Sequence, residues 1–483
     1  MLTLRVNLDD VGEPWALSGR IASVGGSRIE AFCSPHLDIS VATYAADRVV
    51  WIGEDSDPCD HSCLPTPSIE RYSSLIEFEG IAVFLSAGEG SPRLSLVRTA
   101  AGCCPIYVSA YDGVITASWR FEDAALARPT RRADIDACRI LLDHGPSQSR
   151  DTIIAGVHML WPGEIATFGQ DGLAFRPMDE PNVVMPSSLS DHARATDEFM
   201  RRMEHVLRPR IKRSASTILE LSGGLDSSCV AIAAAGVGGG LNSYALVHDG
   251  AMGLQQRARR EELISLLGLN DVTHPSGEPG PLASLQSADL SLTPHDDIYR
   301  MACVAGVLAH PNADIDLLIT GIGGDELSGD DTFFRYDWEV RGLSARSSIT
   351  AAASRCDMFM RMGIWVVHPM VHPLVVDFCR ALPHVIRADR RLHHLTLARA
   401  GLSDGFIFPR FQEHYGNLIQ FEAARFDFEK ALDGTILADL GVREYSALLI
   451  KAYEAGYGGF SYSLVHELFD YLKLDAVLKR YLT

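Results

Sequence analysis

Short apolar runs separated by turn residues fill the first 180 residues of this 483-residue chain. These runs alternate with Gly, Ser and Asp-Gly turns, a pattern that predicts β-strands. Asp112-Gly113 stands between two runs and predicts a tight hairpin, because such a turn needs residues that tolerate positive φ. The clearest strands are predicted at 81–85, 94–98, 106–110 and 114–117. We therefore expect a β-rich N-terminal half.

A stretch rich in proline and serine, residues 180–190, predicts a linker that ends in a helix cap. Beyond it the apolar positions recur at helical spacing, which predicts an amphipathic helix over 191–213. Predicted strands then alternate with predicted helices, a pattern typical of βαβ units and a parallel sheet. The strands are predicted at 217–221, 243–247 and 317–320, and the helices at 229–235 and 255–267. The chain thus divides into two predicted domains, 1–185 and 186–483.

The charge balance narrows the choice of partners. The chain carries 43 Lys plus Arg against 62 Asp plus Glu, a net charge of −19. No nucleic-acid partner is expected, because affinity for a phosphate backbone comes from clustered cations. Asp9 and Asp10 stand where a signal peptide needs an apolar run, and the longest apolar stretch, about 229–240, is too short to span a bilayer. We expect a cytoplasmic protein with no membrane partner.

The strongest local motif is Ser222-Gly-Gly-Leu-Asp-Ser227, which follows a predicted strand and opens a predicted helix. Glycines let the backbone approach a ligand closely, and free N–H groups at a helix N-terminus bind anions. Asp226 would repel a phosphate unless a cation lay between them, so a Mg²⁺ ion is expected there. The plainer alternative is a glycine turn with a Ser or Asp cap. The residues predicted to bind pyrophosphate are Ser222, Gly223, Gly224, Asp226 and Ser227.

A second glycine-rich motif, Gly321-Ile-Gly-Gly-Asp-Glu326, also follows a predicted strand. Ligands bind beyond the carboxyl ends of the strands in doubly wound sheets. We therefore expect Gly321 and Gly323 to lie beside the nucleotide, and Asp325 to be a second Mg²⁺ ligand facing Asp226.

Together the two motifs resemble the pyrophosphate loop and the Gly-x-Gly-x-Asp-Glu loop of the asparagine synthetase superfamily. Three further segments are similar to motifs of that family, at 98–107 (RTAAGCCPIY), 156–163 (GVHMLWPG) and 363–369 (GIWVVHP). The resemblance implies an α+β N-terminal sandwich of the Ntn-hydrolase type, followed by an α/β PP-loop domain with a parallel sheet, like the adenine nucleotide alpha hydrolases. It also implies ATP and Mg²⁺ as cofactors, with a carboxylate adenylated and then captured by an amine.

Position 2 departs from the glutamine-dependent members of the family. Those enzymes need a cysteine directly after the initiator Met, and this chain has Leu2. We therefore expect an inactive glutaminase-like domain at 1–185. This matches β-lactam synthetases and lasso-peptide cyclases, which resemble asparagine synthetase but form an internal amide from the substrate's own amine.

Other departures bear on the substrate and on the base. β-Lactam synthetases resemble this region but have a Tyr and a Glu where this chain has Ile322 and Trp365, and neither of these can move a proton. This favours the lasso-cyclase branch, in which Trp365 could line a pocket for a bulky peptide. The family often has an Arg-x-Lys downstream, where this chain has Arg410 and Gln412.

The general base that deprotonates the amine is left open by these departures. His368 is the candidate that we place in the catalytic set with Asp226, Asp325 and Arg410, and His372 is a second candidate. A packing or surface role is the plainer alternative for both histidines. In the predicted helix 255–267, arginines and glutamates are expected to form a solvated face, and its first residues lie near the nucleotide in the family.

The sequence therefore predicts an ATP- and Mg²⁺-dependent ligase that adenylates a carboxylate and closes a macrolactam in a peptide, as lasso-peptide cyclases do. Its expected partners are the peptide or small-molecule substrate and a leader-peptide protease. A β-lactam-type or other small-molecule amide synthetase is the first alternative. A PP-loop tRNA-modifying enzyme and a non-catalytic scaffold are two further alternatives, against which the −19 charge and the Asp226–Asp325 pair argue respectively.

Overall fold

The computed structural model describes twelve parts of the chain, and the statements below concern these residues. They are 1–44, 47–54, 77–87, 91–144, 149–178, 189, 191–286, 298–311, 314–328, 346–411, 416–442 and 462–482. The predicted linker at 180–190 lies almost entirely outside them.

The N-terminal half is built from β-strands, as predicted. Its described strands are β1 Leu2–Asn7, β2 Ala16–Ser18, β3 Ile21–Val24, β4 Ser27–Ala31, β5 Asp38–Tyr44, β6 Asp47–Gly53, β7 Gly80–Ser86, β8 Arg93–Arg98, β9 Tyr107–Tyr111, β10 Val114–Ser118, β11 Val157–Met159, β12 Glu164–Gly169 and β13 Gly172–Pro177. Two short helices accompany them, α1 Phe121–Leu126 and α2 Ile135–His144.

These strands form two antiparallel sheets. One has seven strands in the order β11-β9-β10-β1-β4-β3-β2, and the other has six in the order β13-β12-β8-β7-β6-β5. The predicted hairpin at Asp112-Gly113 is confirmed, since it joins β9 to β10 with φ of 48° and 74° at its two residues. Alternation along β6 places Val50 and Ile52 in the main core, and Val49 and Trp51 in a second cluster on the other face.

A five-stranded parallel sheet forms the centre of the C-terminal half, which confirms the predicted βαβ pattern. Its order is β16-β15-β14-β17-β18. The strands are β14 Thr217–Glu220, β15 Asn242–Val247, β16 Asn270–Pro275, β17 Leu317–Ile319 and β18 Trp365–Val367. The strands β16 and β18 were not predicted, because β16 is mostly polar and partly exposed and β18 has only three residues.

The described C-terminal half also contains helices. They are α3 His192–Arg213, α4 Leu225–Val237, α5 Gly250–Leu267, α6 Arg300–Leu308, α7 Gly324–Ser328, α8 Arg346–Met360, α9 Pro373–Ala381, α10 His384–Arg387, α11 Arg391–Arg399, α12 Asp404–Ile407, α13 Gly416–Ala423, α14 Phe428–Leu432, α15 Ile436–Asp439 and α16 Tyr462–Leu482. Helix α3 begins where predicted, because the Asp191 carboxylate accepts from the N–H groups of Ala193 and Arg194 at 2.8 and 3.2 Å. Nowhere in the described part of the chain is a helix both long and apolar enough to cross a bilayer.

The two halves share one continuous apolar core. A buried polar group also joins them, because Arg210 of α3 donates from Nε to the Glu54 carboxylate at the end of β6 at 2.7 Å. Trp365 of β18 donates from Nε1 to the same carboxylate at 2.8 Å and is fully buried. The suggestion that Trp365 could line a pocket for a bulky peptide is therefore wrong, since its ring is enclosed between the halves.

Candidate functional site

The two predicted glycine loops lie against each other at the carboxyl edge of the parallel sheet. β14 and β17 are adjacent in the sheet, so the loops that follow them start side by side. A Cβ added at Gly321 would lie 2.6 Å from the Ser227 nitrogen, and one added at Gly324 would lie 2.3 Å from Asp226 Cγ. Such distances leave no room for a side chain, so both glycines are required for the contact between the loops.

Backbone conformation and hydroxyl contacts shape the first loop. Gly223 has φ of +87° and Gly323, in the facing loop, has φ of +95°, values that favour glycine. The hydroxyl oxygens of Ser222 and Ser227 lie 3.1 Å apart, and the N–H of Gly224 donates to Ser222 Oγ at 3.1 Å. Ser222 therefore lies just before α4, and Ser227 lies in its first turn.

Asp226 lies in the first turn of α4 and is mostly buried, which raises the pKa of its carboxyl to about 6. Its Oδ1 atom is buried and has no hydrogen-bond partner among the residues that the structure describes. Nε2 of His393, from α11, lies 3.4 Å from Oδ1, and Nη1 of Arg390 lies 3.5 Å from Oδ2. Burial lowers the pKa of His393 to about 3, so this imidazole is neutral at pH 7. Among the described residues, Arg390 therefore supplies the positive charge beside Asp226.

Asp325 lies in α7 on the facing loop and is largely exposed. Its Oδ1 atom contacts Nη2 of the same Arg390, so one guanidinium joins both predicted metal ligands. No group of three His, Cys, Asp or Glu side chains in the described residues is placed to hold a metal ion by itself. A carboxylate pair nevertheless fits Mg²⁺, which usually takes one or two carboxylates and completes its shell with phosphate oxygens and water.

Gln256 of α5 holds the strand ends beneath the site and was not identified from the sequence. Its side-chain amide donates to the carbonyl oxygens of Ser222 and Leu246 at 3.0 Å and accepts from the N–H of His248 at 3.0 Å. The side chain is fully buried, and it ties the first loop to β15. A glutamine among charged helical residues gives no local signal of such a role, because its partners lie on other elements.

The prediction that the charged residues of this helix form a solvated face is wrong for two of its arginines. Arg259 and Arg260 are buried. Arg259 donates from Nε to the carbonyl oxygen of Phe406 at 2.9 Å, and Arg260 pairs with Asp271 of β16. Helix α5 packs polar side chains toward the sheet and toward α12, so its charged residues do not mark a single exposed face.

Arg410 lies in the exposed segment that follows α12. Its guanidinium lies 5.4 Å from the ring centroid of Phe411. The backbone N–H and carbonyl of Phe411 both bond to the side-chain amide of Gln255, at 2.9 and 2.8 Å. Adjacent residues of α5 thus hold the first loop and the Arg410 segment, so this segment borders the site. Gln412 lies outside the described residues, and the catalytic role of Arg410 stays a prediction.

His368 and His372 are buried at the end of β18. Nδ1 of His368 lies 2.6 Å from the Thr320 hydroxyl and Nε2 lies 3.6 Å from Cys356 Sγ, and burial lowers its pKa to about 3. His372 caps α9, where its Nδ1 accepts from the Leu374 N–H at 3.3 Å. His368 is therefore neutral at pH 7 and lies directly beneath the second loop. Its role as a base stays a prediction.

Replacing Gly324 with alanine is expected to lower the free energy of unfolding by about 1–3 kcal/mol and to impair nucleotide chemistry, because the new Cβ would displace Asp226. Urea denaturation and ATP–pyrophosphate exchange measure the two effects. Gly240→Ala is the matched control, since its Cβ would meet open space at ordinary φ. Equal behaviour of the two variants would contradict the tight contact between the loops.

Comparison with known proteins gives little similarity. No family model matches the chain, and no curated protein matches it. Among solved structures, it is similar to a glutamine phosphoribosylpyrophosphate amidotransferase from B. subtilis in complex with ADP and GMP, at 7% identity and a TM-score of 0.21. The match covers 56% of this chain and 59% of that one. A functional assignment therefore rests on the residues of the site.

Proposed function

We propose that this protein is an ATP- and Mg²⁺-dependent ligase that adenylates a carboxylate and forms an internal amide, closing a macrolactam in a peptide. The observation that carries the proposal is the contact between the two glycine loops, which brings Asp226 and Asp325 to one guanidinium beside the Ser222–Ser227 turn. A glycine turn with only a structural role does not require a second acidic loop to pack against it.

The residues of the site divide the chemistry between them. The N–H groups at the start of α4 and the hydroxyls of Ser222 and Ser227 bind the β- and γ-phosphates of ATP. Asp226 and Asp325 hold Mg²⁺, which when bound neutralises charge on the phosphate oxygens. A substrate carboxylate oxygen attacks the α-phosphorus, and the bond to the β-phosphate oxygen breaks as pyrophosphate leaves. The amine of the same molecule then attacks the acyl carbon and releases AMP.

The surface beside the site supports a peptide substrate. Leu254 of α5 is an exposed apolar side chain, and so are Phe408 and Phe411 in the segment that follows α12. Gln255 of α5 forms hydrogen bonds with the backbone of Phe411. Exposed aromatic groups around a nucleotide site suit the side chains of a peptide better than they suit a small polar amino acid. The net charge of −19 also favours a neutral or cationic peptide.

We propose in addition that the N-terminal half hydrolyses no glutamine. Residue 2 is Leu2, whose side chain is fully buried at the start of β1, and it provides no nucleophile. The nitrogen of the new amide then comes from the substrate.

ATP–pyrophosphate exchange tests the function directly. We expect exchange with linear peptides that carry an amine and a side-chain or terminal carboxylate, and a product that has lost one water by mass spectrometry. Small amino acids, including β-amino acids, form the comparison panel. Exchange driven by a small β-amino acid alone would overturn the peptide assignment in favour of a small-molecule amide synthetase. Absence of exchange with every substrate would overturn the ligase assignment itself.

A further inference from the structure

Arg390 reaches the site from an unusual backbone conformation. Asp389 and Arg390 are consecutive non-glycine residues with φ of +52° and +57°, and they form the end of a short 3-10 turn at 388–390 that directly precedes α11. The left-handed region is unfavourable for L-residues other than glycine, and such residues persist where their surroundings fix them. These two positive φ angles place Arg390 outside the regular turns of α11. The Arg390 guanidinium lies at the two glycine loops.

The guanidinium lies where it meets both carboxylates at once. Its Nη1 atom is 3.5 Å from Asp226 Oδ2, and Nη2 contacts Asp325 Oδ1. Two carboxylates on facing loops repel each other unless a cation lies between them. A divalent ion bound by the same oxygens would occupy the space of the guanidinium and neutralise the same two carboxylates. Arg390 and that ion therefore compete for one site.

The environment allows Arg390 to leave this place and remain nearby. A third of the Arg390 side chain and most of Asp325 are exposed, so solvent reaches this ion pair and weakens it. Asp226 keeps His393 on its buried side, where Nε2 lies 3.4 Å from Oδ1, so the carboxylate stays in position when Arg390 leaves. A released Arg390 still starts from a fixed backbone beside the Ser222–Ser227 turn. A guanidinium suits phosphate because it can donate two parallel hydrogen bonds.

We propose that Arg390 holds the two carboxylates together before the nucleotide binds, and then moves onto the pyrophosphate when a divalent ion takes its place. This rests on the function proposed above and assigns the cation that the sequence resemblance places at a lysine, where this chain has Gln412. In the adenylation step, the bond between the α-phosphorus and the bridging oxygen breaks and its electron pair leaves with pyrophosphate. Arg390 binds the charge that develops there and transfers no proton.

Divalent-ion and pyrophosphate binding test the proposal without turnover. In the full-length protein free of nucleotide, Arg390→Gln should bind Mn²⁺ about tenfold more tightly than the parent, measured by electron paramagnetic resonance titration, because the competing cation is gone. The same variant should bind inorganic pyrophosphate about tenfold more weakly in the presence of Mg²⁺, measured by isothermal titration calorimetry. Arg390→Lys should recover part of the pyrophosphate affinity, since it keeps the charge but loses the fork of donors.

Arg391→Gln is the matched control. Arg391 is the next residue, is exposed, and donates to the carbonyl oxygen of Val385 at 3.4 Å. It should leave both affinities unchanged. Adding Asp226→Asn to Arg390→Gln should abolish the gain in Mn²⁺ affinity, which locates the ion.

Unchanged Mn²⁺ and pyrophosphate affinities in Arg390→Gln would overturn the inference even if the parent catalyses exchange. Conversely, a parent that catalyses no exchange would refute the proposed function, whereas the two binding changes would still support the role of Arg390.

Discussion

Replacing Asp226 with asparagine is expected to lower ATP–pyrophosphate exchange by about 10²–10³-fold, while leaving the protein at least as stable as the parent. The carboxylate is mostly buried, and burial raises its pKa to about 6. In the described part of the chain its Oδ1 atom has no hydrogen-bond partner. Its charge is therefore held in the folded state at a cost, and the neutral amide removes that cost. Loss of activity without loss of stability is what distinguishes a functional carboxylate from a structural one.

The comparison should be made at pH 8, where Asp226 is charged in both the folded and the unfolded chain. Because burial raises its folded pKa above the ordinary value of 3.8, the penalty is present in full above about pH 6 and fades as the pH falls toward 4. Urea denaturation at pH 8 and at pH 4.5 measures this difference, and the stabilising effect of Asp226→Asn should be larger at pH 8.

Asp271→Asn is the control, because neutralising this carboxylate should destabilise the protein, whereas neutralising Asp226 should not. Asp271 pairs with the fully buried Arg260, so its neutralisation leaves a buried cation without its carboxylate and should lower the free energy of unfolding. Asp271 lies on β16, outside the proposed phosphate site. If Asp226→Asn instead destabilised the protein and left exchange intact, Asp226 would be a structural residue and the ligase assignment would fail.

The two loops could be predicted from the sequence because their signal is local. Each is a glycine-rich turn between an apolar strand and a helix, and adjacent parallel strands bring such turns to one edge of a sheet. The glycines at 321 and 324 are explained by the structure, where a Cβ would strike Ser227 or Asp226. Local patterns thus sufficed for the side chains carried by the loops themselves.

The residues that surround Asp226 could not be found in the same way. Arg390 and His393 lie more than 160 positions further along the chain, and Arg390 arrives through two positive φ angles at residues that are not glycine. Gln256 has polar partners on two strand ends. A contact of this kind depends on tertiary structure, and the identity of the residue alone does not reveal it. The same limit explains Trp365, a large apolar residue whose burial between the halves has no local signature.

Replacing Arg210 with methionine is expected to lower the free energy of unfolding by about 3–5 kcal/mol, because it leaves a buried carboxylate without its cation. Arg210 and Glu54 are each about 5% exposed or less. Arg210 donates to Glu54 from Nε at 2.7 Å and from Nη2, and its guanidinium carbon lies 5.0 Å from the ring centroid of Phe78. Methionine fills similar volume, so the loss reports the charge more than the packing.

The expected damage falls on the contact between the two halves. The Glu54 carboxylate also accepts from the backbone N–H of Glu79 at 3.0 Å and from Trp365 Nε1 at 2.8 Å. These bonds join β6, the start of β7 and β18, so an unpaired Glu54 would disturb both sides of the shared core. Arg208→Met is the matched control, since Arg208 is half exposed in an i,i+4 pair with Glu204 and should change stability by less than about 0.5 kcal/mol.

The pH dependence of the Arg210→Met defect identifies its cause. Burial alone would raise the pKa of Glu54. The charge and hydrogen bonds of Arg210, together with the hydrogen bonds from Trp365 and the Glu79 N–H, outweigh burial, so the pKa in the intact protein lies below the ordinary value of 4.5. Glu54 therefore stabilises the intact protein above pH 4.5, and this contribution is lost as the pH falls through the folded pKa. Without Arg210 the burial effect remains and the folded pKa of Glu54 rises above 4.5, so the variant loses stability as the pH increases.

The difference in the free energy of unfolding between the two proteins should thus be larger at pH 8 than at pH 5 in urea denaturation, and adding Glu54→Gln to Arg210→Met should remove that pH dependence. A defect of equal size at both pH values would mean that packing around Phe78, and not the unpaired carboxylate, accounts for the loss.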